Sequence, residues 1–154
     1  VLLAAALKIG AMLGGASDED AQKLYDFGVK IGLAFQLQDD WLDVYGDPKV
    51  FGKNIGGDIL CNKKTYMLIT ALEEANEEQR AVLESWLAAH DYVPAEKIAA
   101  VTALYNEIGV GKRCQEKAEA LNAEGFGILD SINLPEERKA VLREYACSML
   151  NRNV

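Results

Sequence analysis

Between Ser17 and Gly46 nothing in the chain would stop a helix. Ser17 followed by Asp18, Glu19 and Asp20 is an N-cap with acids in the first turn, where the helix dipole favours negative charge. Only Gly28 and Gly32 are weak helix formers before Gly46-Asp47-Pro48 makes a turn. A helix over 18–45 follows. The two glycines, four apart on one face, are read as places where another helix packs closely.

The remaining pattern is helical as well. Val1 to Leu7 is apolar on every side and predicts a helix to residue 14, ended by Gly14-Gly15 and read as a core helix cut from a larger bundle. Helical spacing resumes from about Asn62 to Ala75, restarts at Asn76 with Glu77 and Glu78, and runs to about Ala89. Pro94 sits at a first helical position, Gly109 and Gly111 interrupt, a long amphipathic pattern runs through Cys114, Leu121, Ile128 and Ile132, and Pro135 opens a final helix. No stretch shows the strict alternation of a strand. The expectation is one all-α domain of about seven helices without internal repeats. Residues 46–58, with four glycines, one proline and two lysines, read as a long loop, functional or disordered.

Several function classes drop out on charge and length. With 16 Lys and Arg against 24 Asp and Glu, the net charge of −8 repels a phosphate backbone, so nucleic-acid binding is excluded. Lys8 interrupts the first apolar run, leaving neither a signal peptide nor a membrane span. Cys61, Cys114 and Cys147 form no metal spacing and read as reduced thiols, each a small buried hydrophobe in a cytoplasmic protein. His90, the single histidine, leaves little for a zinc site or a catalytic triad and reads as a surface residue between helices.

The chemistry concentrates at the end of the long helix. At 3.6 residues per turn, Gln36, Asp39, Asp40 and Asp43 share one face, while Leu37, Trp41 and Val44 take another. Two such carboxylates about 6 Å apart at an effective dielectric of about 20 repel by roughly 3 kcal/mol, and the helix C-terminus adds to the cost. A hard divalent cation compensates it, above all Mg2+, which accepts one or two carboxylates together with substrate phosphates. Phe35, Trp41 and Leu42 flank the acids as if beside a pocket. Lys53, and Lys63 or Lys64, lie where a chain reversal would bring ammonium groups back over them. Carboxylates, a divalent metal and lysines together describe a diphosphate site. Neither an EF-hand nor a P-loop fits the spacing.

The ordered series Gly32-Leu33-Ala34-Phe35-Gln36-Leu37-Gln38-Asp39-Asp40-Trp41-Leu42-Asp43, Gly46-Asp47-Pro48, Gly52-Lys53, Gly56-Gly57-Asp58 and Asn62-Lys63-Lys64-Thr65 resembles the second aspartate-rich motif and following lysine segment of the trans-isoprenyl diphosphate synthases. That is the polyprenyl synthetase family, which includes farnesyl and geranylgeranyl diphosphate synthases; the Gly-Asp-Pro turn resembles short-chain, farnesyl-type members. The resemblance implies that Asp39 and Asp43 hold Mg2+ on an allylic diphosphate with Asp40 in support, and that Lys53 and Lys63 contact the diphosphate. Phe35 and Gln36 would face the reacting carbons. It further implies ionisation of the allylic diphosphate, attack by isopentenyl diphosphate, and a homodimer in the full-length protein. No second DDxxD occurs in these 154 residues, so the chain is expected to be the C-terminal half of an isoprenoid synthase bundle, inactive by itself. The alternative is a non-catalytic helical partner of a synthase subunit.

Overall fold

The computed structural model describes residues 1–47 and 55–150. Among them are eight helices and no strand: α1 (Leu2–Leu13), α2 (Asp18–Tyr45), α3 (Gly57–Leu60), α4 (Tyr66–Glu74), α5 (Glu77–Ala88), α6 (Pro94–Ile108), α7 (Val110–Asp130) and α8 (Glu136–Leu150). The all-α expectation holds, with one helix more than expected. Among the described residues no helix is long and apolar enough to cross a membrane.

Local chemistry accounts for most helix ends. Ser17 Oγ accepts from the Asp20 N–H at 3.1 Å, as the N-cap reading requires. Asn76 and Gln79 form a reciprocal capping box at the start of α5. Pro94 opens α6, and Gly109, at φ +83°, closes it in the left-handed conformation. Two boundaries differ from expectation. The helix expected from Asn62 begins at Tyr66, because Thr65 Oγ1 caps the Leu68 N–H at 3.2 Å and Asn62 itself takes a left-handed φ of +51°. Residues 57–60 form a helical turn that begins inside the expected loop and runs past its end at residue 58.

The chain packs as two compact units. One combines Val1–Gln36 with residues 117–150, around Leu24, Phe27, Ile31, Leu129, Ile132 and Ala146. On α1, read as a core helix cut from a larger bundle, Ala4 is buried while Leu2 and Leu13 are 86% and 85% exposed, with no described residue covering that apolar face. The other unit, Leu37–Glu116, is built around Val44, Ile59, Met67, Leu68, Leu83, Val101, Leu104 and Tyr105. Of the cysteines, Cys114 is buried as expected; Cys61 is exposed and Cys147 half-buried, since each lies on a helix end or face that faces solvent rather than a core. His90 is exposed between α5 and α6.

The two glycines of α2 behave differently. A Cβ on Gly28 would stand 2.7 Å from Ala4 Cα and 3.1 Å from Ala4 N, backbone atoms that cannot yield, whereas one on Gly32 meets only Leu3 Cδ2 at 3.9 Å. Gly28→Ala is therefore expected to destabilise by about 1–3 kcal/mol through overpacking. Gly32→Ala should instead stabilise by roughly 0.5–1 kcal/mol through helix propensity. Urea unfolding of both variants checks the opposite signs; equal effects would remove the close-packing account of Gly28.

Candidate active site

The acidic end of α2 belongs to the second unit, and its three aspartates have three different environments. Asp40 is 4% exposed. Its Oδ1 accepts from Lys63 Nζ at 2.9 Å, and the same ammonium donates to Asp58 Oδ2 at 2.7 Å. Asp43 is half-buried, and its Oδ2 accepts the Asp58 backbone N–H at 2.9 Å, while its carbonyl accepts the Gly56 N–H at 2.6 Å. Asp39 is half-buried and, among the described residues, has no hydrogen-bond or ion-pair partner. One helical face thus divides into a neutralised acid, an acid that caps a turn, and an acid left open.

The turn that returns Lys63 explains the extra helix. Gly56 adopts φ +85° and ψ 13°, turning the chain so that the first N–H groups of α3 point at Asp43. A carboxylate at those orphan N–H groups satisfies them and complements the helix dipole. A Cβ on Gly57 would come 3.3 Å from Asp43 Oδ1, so glycine also leaves room for the carboxylate. Asn62 then reverses the chain, with the Lys63 N–H donating to the Asp58 carbonyl at 3.0 Å, and the Lys63 side chain comes back over α2.

These contacts set the charges. Burial holds the Asp43 carboxyl above the usual carboxylate range, against the opposing pull of the Asp58 N–H. The hydrogen bond to Asp58, helped by Asp40, holds the Lys63 ammonium protonated well above its ordinary range. Burial pushes the Cys114 thiol up to about 12, with the Asp40 charge adding to it, so it remains an unreactive thiol. Burial also keeps the Tyr105 hydroxyl protonated far above the ordinary phenol range.

A cavity of about 10 Å3, the size of one water, lies behind the acids and is lined by Asp40, Asp58, Asn62, Lys63, Lys97 and Tyr105 among others. The Trp41 and Tyr45 rings meet at a tilt of 36° with centroids 5.2 Å apart, and both line a separate hollow of about 270 Å3 that has no carboxylate among its described walls. Leu42 is buried.

Of the residues singled out from the sequence, the structure brings Asp40 and Lys63 into contact and leaves Lys64 exposed. Phe35, half-buried, and Gln36, exposed, lie on α2 within the first unit. Lys53, with Pro48 and Gly52, lies outside the described residues. Among the described residues no three acidic, histidine or cysteine side chains converge as a ready-made metal cage. Sequence reasoning missed Asp58 as a site residue; its signal was the Gly56-Gly57 pair before it, a turn that presents the next residue at a helix start.

Comparison with known proteins adds context to this geometry. A family model described as Polyprenyl synthetase matches residues 1–108. The chain is 38% identical over 143 residues to a short chain isoprenyl diphosphate synthase of Methanothermobacter thermautotrophicus, covering 93% of this chain and 40% of that protein. A crystal structure of geranylgeranyl pyrophosphate synthase superposes with a TM-score of 0.89 at 31% identity, over 100% of this chain and 48% of the other. A geranylgeranyl pyrophosphate synthase from Corynebacterium glutamicum, complexed with isoprenyl diphosphate and magnesium, superposes with a TM-score of 0.81 at 32% identity, over 94% of this chain and 41% of the other. The chain spans about two fifths to one half of the length of these relatives.

Proposed function

The chain belongs to the polyprenyl synthetase family, and from that premise we propose that it forms the part of a short-chain prenyltransferase that binds and helps to ionise an allylic diphosphate. The observation that carries this reading is the return of Lys63 onto the acidic end of α2, which sets a fixed cation against Asp40, the neighbour in sequence of the open carboxylate of Asp39. The donor set is carboxylate oxygen throughout, which suits Mg2+, and Asp39 has the coordination capacity that Asp40 and Asp43 have partly committed. Asp39 and Asp43 would hold the metal, Asp40 would support them, and the bound metal supplies positive charge to a departing diphosphate. Lys63 and Lys53 neutralise the remaining phosphate oxygens. The family resemblance would give the Phe35 ring and the Gln36 amide oxygen the role of favouring a developing carbocation electrostatically.

In the full-length enzyme the activity would be condensation of isopentenyl diphosphate with geranyl or farnesyl diphosphate, giving a short-chain trans-prenyl product in a cytoplasmic homodimer. These 154 residues contain one DDxxD, so binding without turnover is expected of them.

Thermal unfolding of this chain with geranyl diphosphate tests the site. At a ligand concentration about 100 times Kd, stabilisation is roughly 2.7 kcal/mol, or about 5–10 °C for a domain of this size. The shift should require Mg2+, vanish in excess EDTA, and be absent in Asp39→Ala. A shift that survives EDTA, or that Asp39→Ala retains in full, would refute a metal-held diphosphate.

A further inference from the structure

Lys97 is an unusual core residue. It sits on α6 with no exposed surface, in the unit built around Ile59, Val101 and Leu104, where a lysine is rarely found without a partner. Its Nζ donates to Asn62 Oδ1 at 2.7 Å and stands 4.4 Å from the Tyr92 ring centroid. The Tyr92 hydroxyl in turn donates to the Leu60 carbonyl at 3.2 Å, and Asn62 Nδ2 donates to the Leu87 carbonyl at 3.0 Å. The chain between α3 and α4 is therefore held from below at two points, Leu60 and Asn62. Asn62 is the described non-glycine residue with positive φ, +51°. The next residue is Lys63, whose ammonium reaches Asp40 and Asp58.

A desolvated ammonium is expensive to keep in a core, and a neutral side chain of the same volume would pack there at lower cost. What the ammonium does that an apolar group would not is fix the Asn62 side chain, and with it the backbone reversal that aims Lys63. We propose that Lys97 is a positioning residue: by anchoring Asn62 in its left-handed conformation it sets the reach of Lys63 to Asp40 and Asp58, and so places the cation that receives a diphosphate. The last clause rests on the function proposed above; the anchoring itself does not.

Side-chain ammonium NMR of the 154-residue chain, with Mg2+ and inorganic pyrophosphate as the probe, separates the two. In Lys97→Met, exchange of the Lys63 ammonium with water should accelerate severalfold, and the pyrophosphate Kd should weaken about tenfold, as for other residues that orient a ligating group. Leu83→Ala, in the same core but not on the cavity wall, should lower Tm without changing either quantity. Should Lys97→Met not fold, Asn62→Gly gives the same test: glycine takes positive φ at no steric cost but removes the Oδ1 that Lys97 holds, so Lys63 exchange should still accelerate. Unchanged Lys63 exchange in Lys97→Met, or in Asn62→Gly, overturns the anchoring. Wild-type protein that binds no pyrophosphate while the exchange effect persists overturns the diphosphate reading and supports the anchoring.

Discussion

Replacing Lys63 with methionine should lower stability by about 2–3 kcal/mol, roughly 4–12 °C in Tm. Breaking a buried ion pair costs about 3–5 kcal/mol because the remaining charge stays desolvated. Asp40, at 4% exposed, fits that case, but the Lys63 side chain is 44% exposed, and water already screens part of the interaction. The origin of the loss is separable: Asp40→Asn in the Lys63→Met background removes the charge left behind and should recover at least half of it. The pH dependence has a definite sign. The folded state holds the Lys63 proton more tightly than the unfolded chain, so its contribution is complete below about pH 10.5, the unperturbed lysine range, and fades as pH rises through the higher folded value. Wild type and Lys63→Met should thus differ by a constant amount across pH 6–9 and converge only in strong alkali. An Asp40→Asn change that adds to the Lys63→Met loss would disprove the coupling.

Gly56→Ala should also be severe, at about 2–5 kcal/mol from two independent terms. A left-handed alanine costs about 1–2 kcal/mol. The added methyl would also lie 2.6 Å from Ile98 Cδ1, 2.7 Å from Cγ1 and 3.0 Å from Cγ2, an approach to a stiff branched side chain that no rotation relieves, with an overpacking cost of about 1–3 kcal/mol. In an Ile98→Ala background only the conformational term, about 1–2 kcal/mol, should remain. Because the Gly56 N–H donates to the Asp43 carbonyl and the Asp58 N–H to the Asp43 carboxylate, the displacement should also weaken Mg2+-dependent diphosphate binding. Urea unfolding that puts Gly56→Ala within 0.5 kcal/mol of wild type would contradict the close contact.

How much of this was legible in the sequence depends on the range of the force involved. Ser17, Asn76 and Pro94 mark helix starts because capping is settled within four residues, and each was read correctly. The start of α4 lies four residues beyond the expected one, since helical spacing resumes at about Asn62 but the Asn62 side chain is bound to Lys97 and Leu87 and Thr65 supplies the cap. The short α3 was invisible for a related reason: a segment rich in glycine has poor helix propensity, and what induces its one turn is the Asp43 carboxylate, 15 residues away from Asp58.

The same division holds at the site. Helical geometry by itself places Asp39, Asp40 and Asp43 on one face, because an angle of about 100° per residue is a property of the backbone. It makes the three acids equivalent. Which one is buried against Lys63, which one caps α3 and which one is left open follows from the reversal at Asn62 and from the α6 core beneath it. The amino-acid order by itself determined an all-helical chain and a patch of negative charge with lysines downstream, since periodicity and formal charge are local. Tertiary structure decided the pairing, because an ion pair across 23 residues depends on distances that only packing sets.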